Sequence, residues 1–555
     1  MKISSNPDTP ISMLKWSRYL CVLIFVINVI VRGWSNDLTA MSRDEPFTLY
    51  FSQLSITQFV PIILDTNNPP TFEILLHIWS HLFGNSESAL RWLPTLIVSL
   101  GSIPFFLLGK RIDGATGAIA SSALYLGSSL LMNFSHLDRA YCLLVVGSLY
   151  MVYFFFKTYE EKKIIYPALW ALAALVTCSS HYFGWLMVVT LWVCLLSIAN
   201  FRGKIGRKMA FTTAILLVCY SPLGFYLMKR FITTHQEGTP VYESYQIPVF
   251  KHLVDQYLNA SFITTLLSIL GLLVSWRALE KKNFVGGIAG MLLCMLLLVA
   301  QNDFSASEYS TLNLIMVLTL FASALAMMLF FARGRQSVYE KTIALWVLIP
   351  LVGSYFLSMR IQIFTDRYLS FVMAGLLLCI TMLVKLIATR ALKYAAITLL
   401  MAIYFFHFEY TPSYNAENRI AVQTFADYHT KSDLSIVGPG YYDVDFTYYF
   451  DRTIFYNGTY HMQDTLGEKL VSESGYTRFK EGLRRELLRN RIVISHDSSN
   501  LDIDTTSIRS ITYYDGNTSL AYPQNGIIAY LRERYGEPKE SRSFSGIYSV
   551  YRFSR

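Results

Sequence analysis

Apolar runs of about 17 to 22 residues recur along this chain, each closed by a short polar loop, and that length crosses a hydrocarbon core as a helix. They fall at 17–33, 90–109, 115–132, 140–157, 164–178, 184–200, 209–228, 261–277, 284–300, 310–331, 342–358, 367–386 and 394–410. The pattern predicts an all-α polytopic membrane protein with about thirteen transmembrane helices over residues 1–410. One more apolar stretch, 70–83 ("PTFEILLHIWSHLF"), is too short to span. Its polar positions Glu73, His77 and His81 recur every four residues and share one helical face. A helix lying in the membrane interface accounts for it, begun by the Pro69-Pro70 pair.

Past residue 410 the pattern changes. A helical period near 415–430 runs into "LSIVGPG", and a basic amphipathic one at 476–490 runs into "RIVISH". Helix followed by strand, twice, predicts a small α/β domain over 411–555, with turns at Asp515-Gly516 and Asn525-Gly526. This part contains no nucleotide loop, metal cluster or nucleophile motif, and His496-Asp497 reads as structural.

Composition agrees with a membrane chain. The sequence is 53% hydrophobic and 15% charged, where a soluble chain carries roughly a quarter charged residues. The net charge of +9 does not point to nucleic acid, because the basic residues sit in short loops between apolar runs. The seven cysteines lie in or beside those runs with no CxxC pair, which argues against a disulfide framework or a zinc site. Lys15 and Arg18 precede the first run, but no small-residue cleavage site follows it, so it reads as an uncleaved first span.

Charge also sets the sides. A cytoplasmic N-terminus puts Lys110-Arg111, Lys157/Lys162/Lys163, Arg202/Lys204/Arg207/Lys208, Arg277/Lys281/Lys282, Arg333/Arg335/Lys341 and Lys385/Arg390/Lys393 inside, as the positive-inside rule requires. Counting 70–83 as a span would invert every later loop. On this map 411–555 lies outside. The outer loops still hold Arg43, Arg91, Arg139, Arg360 and Arg367. Cations kept on the disfavoured side fit an anionic ligand such as a lipid phosphate, or local pairing with acids; for Arg91 alone, anchoring the end of a span is the simpler role.

Several polar clusters share that outer layer: Asp44-Glu45; "DTNNPPTFE" from Asp65 to Glu73; "SHLDRAY" at 135–141; "SSHYFG" at 179–184, with His181; and "FTDRYLS" at 364–370. Ionisable groups at that depth are costly unless paired or used. Locally, Asp44-Glu45 also suits a helix start, with Ser42 or Asp44 as cap and Pro46 in the first turn.

This ordered set, with "LFG", "ALRWLP" and "DRYL", resembles glycosyltransferases of the GT-C fold over roughly residues 15–410. It is most similar to glycosyltransferase family 39, related to the protein O-mannosyltransferases and the lipid A aminoarabinose transferases. The resemblance implies interfacial helices in a first outer loop (34–89) and sugar transfer from a polyprenyl-phosphate-linked donor to a hydroxyl acceptor, usually with inversion. The acceptor would be a lipid, a glycan or a protein, and the setting a bacterial inner membrane with the active site and the C-terminal domain periplasmic. It assigns Asp44 as base, Glu45 or Asp138 to oxocarbenium stabilisation, and Asp138 also to positioning. It gives Arg139, Arg360 and Arg367 to the leaving phosphate, with Tyr141, His136, Asn67, Asn68, Tyr368 and His181 as further binding residues. Where the aminoarabinose branch has Glu-Lys before the Pro-Pro, this chain has Asn67-Asn68. The metal-binding glutamate and phosphate-binding lysine of that pattern are therefore absent. No divalent metal carries over, the phosphate cation must come from elsewhere, and His77, His81, His136 and His181 are the alternative metal ligands. A transporter or flippase for a lipid-linked intermediate would place charges within the spans, which are clean here; a glycan ligase would share this topology.

Overall fold

A computed structural model of the chain describes residues 11–34, 36, 40–41, 45–64, 69–236, 247–280, 284–299, 318–320, 322–323, 325–327, 337–358, 364–387, 389–410, 417–430, 433–456, 475–501, 508–516, 518 and 524–554. Arg43, Asp44, Asn67, Asn68, Arg360 and most of the run at 310–331 lie outside these residues.

Helix α1 (Ile11–Gly33) is followed by three short helices, α2 (Glu45–Ser52), α3 (Ile56–Leu64) and α4 (Thr71–Phe83). Then come α5 (Glu87–Leu126), α6 (Ser129–Ser135), α7 (Tyr141–Glu160), α8 (Ile165–Ser180), α9 (Gly184–Ser197) and α10 (Ala199–Gln236). The series continues with α11 (Ile247–Tyr257), α12 (Ser261–Glu280), α13 (Phe284–Val299), α14 (Val338–Leu357), α15 (Ser370–Lys385) and α16 (Arg390–Phe406). Every apolar run except 310–331 falls on one of these helices. By length and composition, α5, α7, residues 199–228 of α10, and α14 are able to cross a membrane; residues 251–257 and 261–276, bent by 102°, make a fifth crossing if counted as one. The apolar helices α8, α9 and α15 are shorter.

The long helix α5 is two helices in one. Asp113 (φ −144°, ψ 40°) and Gly114 (φ 57°, ψ −136°) leave the helical region, and the positive φ suits glycine. The two legs then pack closely: a Cβ on Gly109 would meet the Gly117 carbonyl oxygen at 2.5 Å. That reversal separates the runs 90–109 and 115–132. Acids pair with the basic residues near it. Arg111 grips Glu160 with two bonds of 2.6 and 2.8 Å, Lys393 reaches Asp113 at 2.8 Å, and Lys385 reaches Glu340 at 2.8 Å. Twenty helical residues, about 30 Å at 1.5 Å per residue, separate this end of α5 from Arg91 at the other.

Near the C-terminus a five-stranded mixed sheet forms in the order β2-β1-β3-β5-β4. Its strands are β1 (Leu434–Gly438), β2 (Ile492–Ile494), β3 (Ser510–Gly516), β4 (Glu540–Phe544) and β5 (Tyr548–Ser554). β1 runs parallel to β2 and β3, and β5 antiparallel to β3 and β4. The alternation of side chains gives it two apolar faces. Ile436, Ile511, Tyr513 and Phe553 cluster with Ile527 and Leu531 of helix 527–535, while Val437, Tyr514 and Val550 join Phe425 of helix 418–428 and Phe446 of helix 443–450 in the main core. The expected helix-to-strand passages are therefore present. Asp515-Gly516 is not a turn: both residues pair within the sheet, opposite Ser549 and Tyr548. Asn525-Gly526 does reverse the chain, with Gly526 at φ 70° just before helix 527–535.

Helix 443–450 rests on the segment between α1 and α5. Glu87, at the start of α5, receives Arg419 at 2.5 Å, Tyr449 at 3.2 Å and Arg452 at 3.2 Å, while the Met41 N–H donates to the Tyr449 hydroxyl at 2.6 Å. Helix α4 also departs from expectation. The proposed polar face is not turned outward as a unit, because Glu73 is buried with Phe72, Leu76 and Ser80 where α4 packs on α2 and α5. His77 bonds the Ser52 carbonyl at 2.7 Å, and His81 bonds the His77 carbonyl at 2.8 Å.

Candidate active site

The site lies where the α2–α4 segment meets the turns before α7, after α8 and before α15. Glu45 opens α2 and is 1% exposed. An acid in the first turn suits the helix dipole, but its carboxylate is also gripped from outside. The backbone N–H of Asp138 donates to Glu45 Oε1 at 3.0 Å, and Arg91 Nε lies 3.7 Å from the same oxygen. Arg91 sends its other nitrogens to the Asn36 and Ala40 carbonyls at 2.9 and 3.0 Å. Buried near the start of α5, it is a strut that fixes the chain entering α2. Thr95, one turn on, donates to the Ser135 carbonyl at 2.8 Å and ties α5 to the "SHLDR" turn.

Asp138 is fully buried, and neither of its carboxylate oxygens has a hydrogen-bond partner among the described residues. Burial first, then the Glu45 charge, push its pKa well above the usual carboxylate range, against the pull of Arg91. A buried carboxyl left unbonded is costly. The fold holds an acid where it gains nothing structurally.

Arg139 points the other way, donating to the Thr48 hydroxyl at 2.8 Å beside the Phe47 ring. Its charge reaches Glu73 and His181. Glu73 is 2% exposed with Oε2 unpartnered, and burial raises its pKa to about 7, opposed by Arg139. His181 is buried, and desolvation, then Arg139 and Arg367, lower its pKa to about 3. Its ring is neutral, and Nδ1 accepts the Phe183 N–H at 3.2 Å. Nε2 must then carry the proton, and this buried donor has no partner among the described residues. Tyr141 and Tyr368 flank His181 at 5.7 and 5.3 Å between ring centres, and the exposed Arg367 leans on Tyr368 at 5.7 Å.

His136 has a different task. Its Nε2 donates to the Arg32 carbonyl at 2.6 Å, and burial lowers its pKa to about 4. Its one ring N–H is thus committed to bracing α1. Arg32 in turn donates to the Tyr125 carbonyl at 2.8 Å, a cation on a helix C-terminus. Among the described residues no three His, Cys, Asp or Glu side chains come together as metal ligands.

Of the expected site residues, the structure gathers Glu45, Asp138, Arg139, His181, Tyr141, Tyr368 and Arg367; Asp44, Asn67, Asn68 and Arg360 lie outside the described residues. Sequence reasoning gave no site role to Glu73 or Glu87. Glu73 had a signal in an acid three residues past Pro-Pro, on the polar face it shares with His77 and His81. Glu87 had none beyond the sequence Ser86-Glu87 at a helix start.

Residues 67–226 match the family model for dolichyl-phosphate-mannose-protein mannosyltransferase. No curated protein sequence matches the chain. Among solved structures it is similar to ArnT from Cupriavidus metallidurans in the apo state, at 14% identity and TM-score 0.43 over 96% of this chain and 97% of that one. The same protein bound to undecaprenyl phosphate matches at 12% identity and TM-score 0.40, over 96% and 97%. The archaeal oligosaccharyltransferase AglB from Archaeoglobus fulgidus, in complex with an inhibitory peptide and a dolichol-phosphate, matches at 12% identity and TM-score 0.46, covering 97% of this chain and 74% of that one. Residues 67–226 are thus similar to the dolichyl-phosphate-mannose-protein mannosyltransferase family.

Proposed function

We propose that this chain moves a sugar from a polyprenyl-phosphate donor to a hydroxyl on a lipid, glycan or protein, with inversion, at the outer face of a bacterial inner membrane. In this reading residues 1–410 form the membrane domain and 411–555 an extracytoplasmic domain. The acceptor oxygen attacks the anomeric carbon, the bond from that carbon to phosphate breaks, and its electron pair leaves with the lipid phosphate. The acceptor's proton passes to the Asp44 carboxylate, adjacent in the chain to Glu45. Glu45 faces the oxocarbenium charge, and Asp138, which resists ionisation, orients the acceptor. Arg139 and Arg367, with Arg360, receive the phosphate, and His181 Nε2–H and the Tyr141 and Tyr368 rings complete its surroundings.

The observation that carries this reading is the buried, unbonded Asp138 carboxyl beside Glu45. A substrate hydroxyl is the partner it lacks. The test is purified enzyme with a panel of polyprenyl-phosphate sugars, comparing wild type with Asp44→Asn. Loss of turnover with donor binding kept is expected, and full turnover by the variant would sink the assignment. Cysteines placed in 411–555 should react with an impermeant thiol reagent in intact cells.

A further inference from the structure

Glu73 lies outside the roles assigned above, yet Arg139 joins it to the same group of residues. It projects from α4, a 13-residue helix too short to span, into the layer that holds Arg139. The charge of Arg139 acts on it, and Arg139 and Arg367 both act on the neutral imidazole of His181, so Arg139 links the two buried groups. Two buried polar atoms there, Glu73 Oε2 and His181 Nε2, have no partner among the described residues. A buried carboxyl under the charge of Arg139, with an unpartnered imidazole N–H that Arg139 and Arg367 both reach, suits a phosphate group.

We infer that Glu73 donates a proton to the departing lipid phosphate. This rests on the transferase reading and adds the missing half of its proton balance. When the sugar–phosphate bond breaks, the phosphate keeps the electron pair and passes from a singly charged diester to a doubly charged monoester. The Glu73 O–H transfers its proton to a phosphate oxygen, leaving a singly charged product and a Glu73 carboxylate that Arg139 stabilises. The carboxylate regains a proton from water when the product leaves. Burial keeps the acid protonated near neutrality. Of the acidic, basic and imidazole groups on the elements packed against α4, which are Glu45 on α2, Glu87, Arg91, Lys110, Arg111 and Asp113 on α5 and His181 after α8, none acts on Glu73 as Arg139 does.

The test compares wild type, Glu73→Gln and Glu73→Asp in pH profiles of kcat and KM for a polyprenyl-phosphate sugar. Loss of a general acid is typically about 10²- to 10⁴-fold. Glu73→Gln should lower kcat by about 10²-fold or more with donor KM changed less than about threefold, and should abolish the fall of kcat above neutral pH; Glu73→Asp should keep that fall. A Glu73→Gln enzyme with wild-type kcat and the same alkaline fall overturns this inference alone. No turnover by wild type with any such donor overturns the transferase reading as well. Infrared difference spectra provide a readout that needs no turnover. Farnesyl phosphate should shift a protonated-carboxyl band in wild type that Glu73→Gln lacks, and an unmoved band counts against the inference.

Discussion

The backbone N–H of Asp138 donates to Oε1 of Glu45 across 3.0 Å, joining the turn before α7 to the first turn of α2. Two acids distant in sequence are thereby held together, and Arg91 lies against them as a cation, 3.7 Å from Glu45. One positive charge supports one carboxylate well. The second acid resists ionisation, as expected when like charges share a dry site. Asp138 is that second acid, because Glu45 has both the arginine and the N–H.

Asp138→Asn should therefore separate stability from activity. The asparagine keeps the size, and no hydrogen bond to the carboxyl is lost among the described residues. Because the folded pKa is raised, the acid costs stability as pH rises, so the variant should gain thermal stability at alkaline pH and gain little near pH 4. Transfer should fall about 10²-fold or more if Asp138 orients the acceptor. Unfolding scans and turnover measured across pH on the same preparations check both parts. Wild-type turnover would remove Asp138 from the site.

Arg91→Met should destabilise by about 3 to 5 kcal/mol, the usual result of removing one partner of a buried ion pair. Part of that loss comes from the Asn36 and Ala40 carbonyls, which lose their donors. Adding Glu45→Gln should restore a measurable share, since the unpaired charge disappears while the carbonyls stay unbonded. A double variant no more stable than Arg91→Met would mean that the carbonyl contacts alone matter.

Glu87 should tie helix 443–450 to the rest of the protein in a salt-sensitive way. Its partners Arg419 and Arg452 are 37% and 46% exposed, so each pair contributes about 1 kcal/mol or less. The Glu87 carboxylate is only 13% exposed and also meets Tyr448 and Tyr449. Glu87→Gln should speed hydrogen exchange in residues 443–450 and at Met41, more so than either arginine-to-alanine change. High salt should reproduce part of that effect in wild type.

The sequence pattern located the helices well, because apolar length and flanking charge are one-dimensional properties. It also found both helix-to-strand passages near the C-terminus. The reversal at Asp113-Gly114 and the "SHLDR" turn were legible for the same reason. What the pattern could not give was which polar groups face one another. Glu73 looked like part of an interfacial polar face because spacing fixes a helical stripe but not which neighbour covers it. His136 and His181 look alike in sequence, each beside a span end. Only the Arg32 carbonyl and the Phe183 N–H show that one ring has committed its N–H and the other presents it. Arg91 reads in sequence as a span-end residue, while its grip on Glu45 depends on a contact 46 residues away along the chain.

Glu73→Gln offers a stability test independent of any substrate. Burial raises the folded pKa from the ordinary 4.5 to about 7. The sign follows from linkage: the unfolded chain releases the proton first, so wild type is most stable below pH 4.5 and loses stability as pH climbs through 7. A shift of about 2.5 pH units corresponds to at most about 3 kcal/mol at alkaline pH. Glutamine carries no such titration. The variant's unfolding temperature should match wild type near pH 5, exceed it by a widening margin between pH 5 and 7.5, and then run parallel. Parallel curves over the whole range would mean that Glu73 ionises as an ordinary carboxylate, which would place a compensating cation closer to it than Arg139.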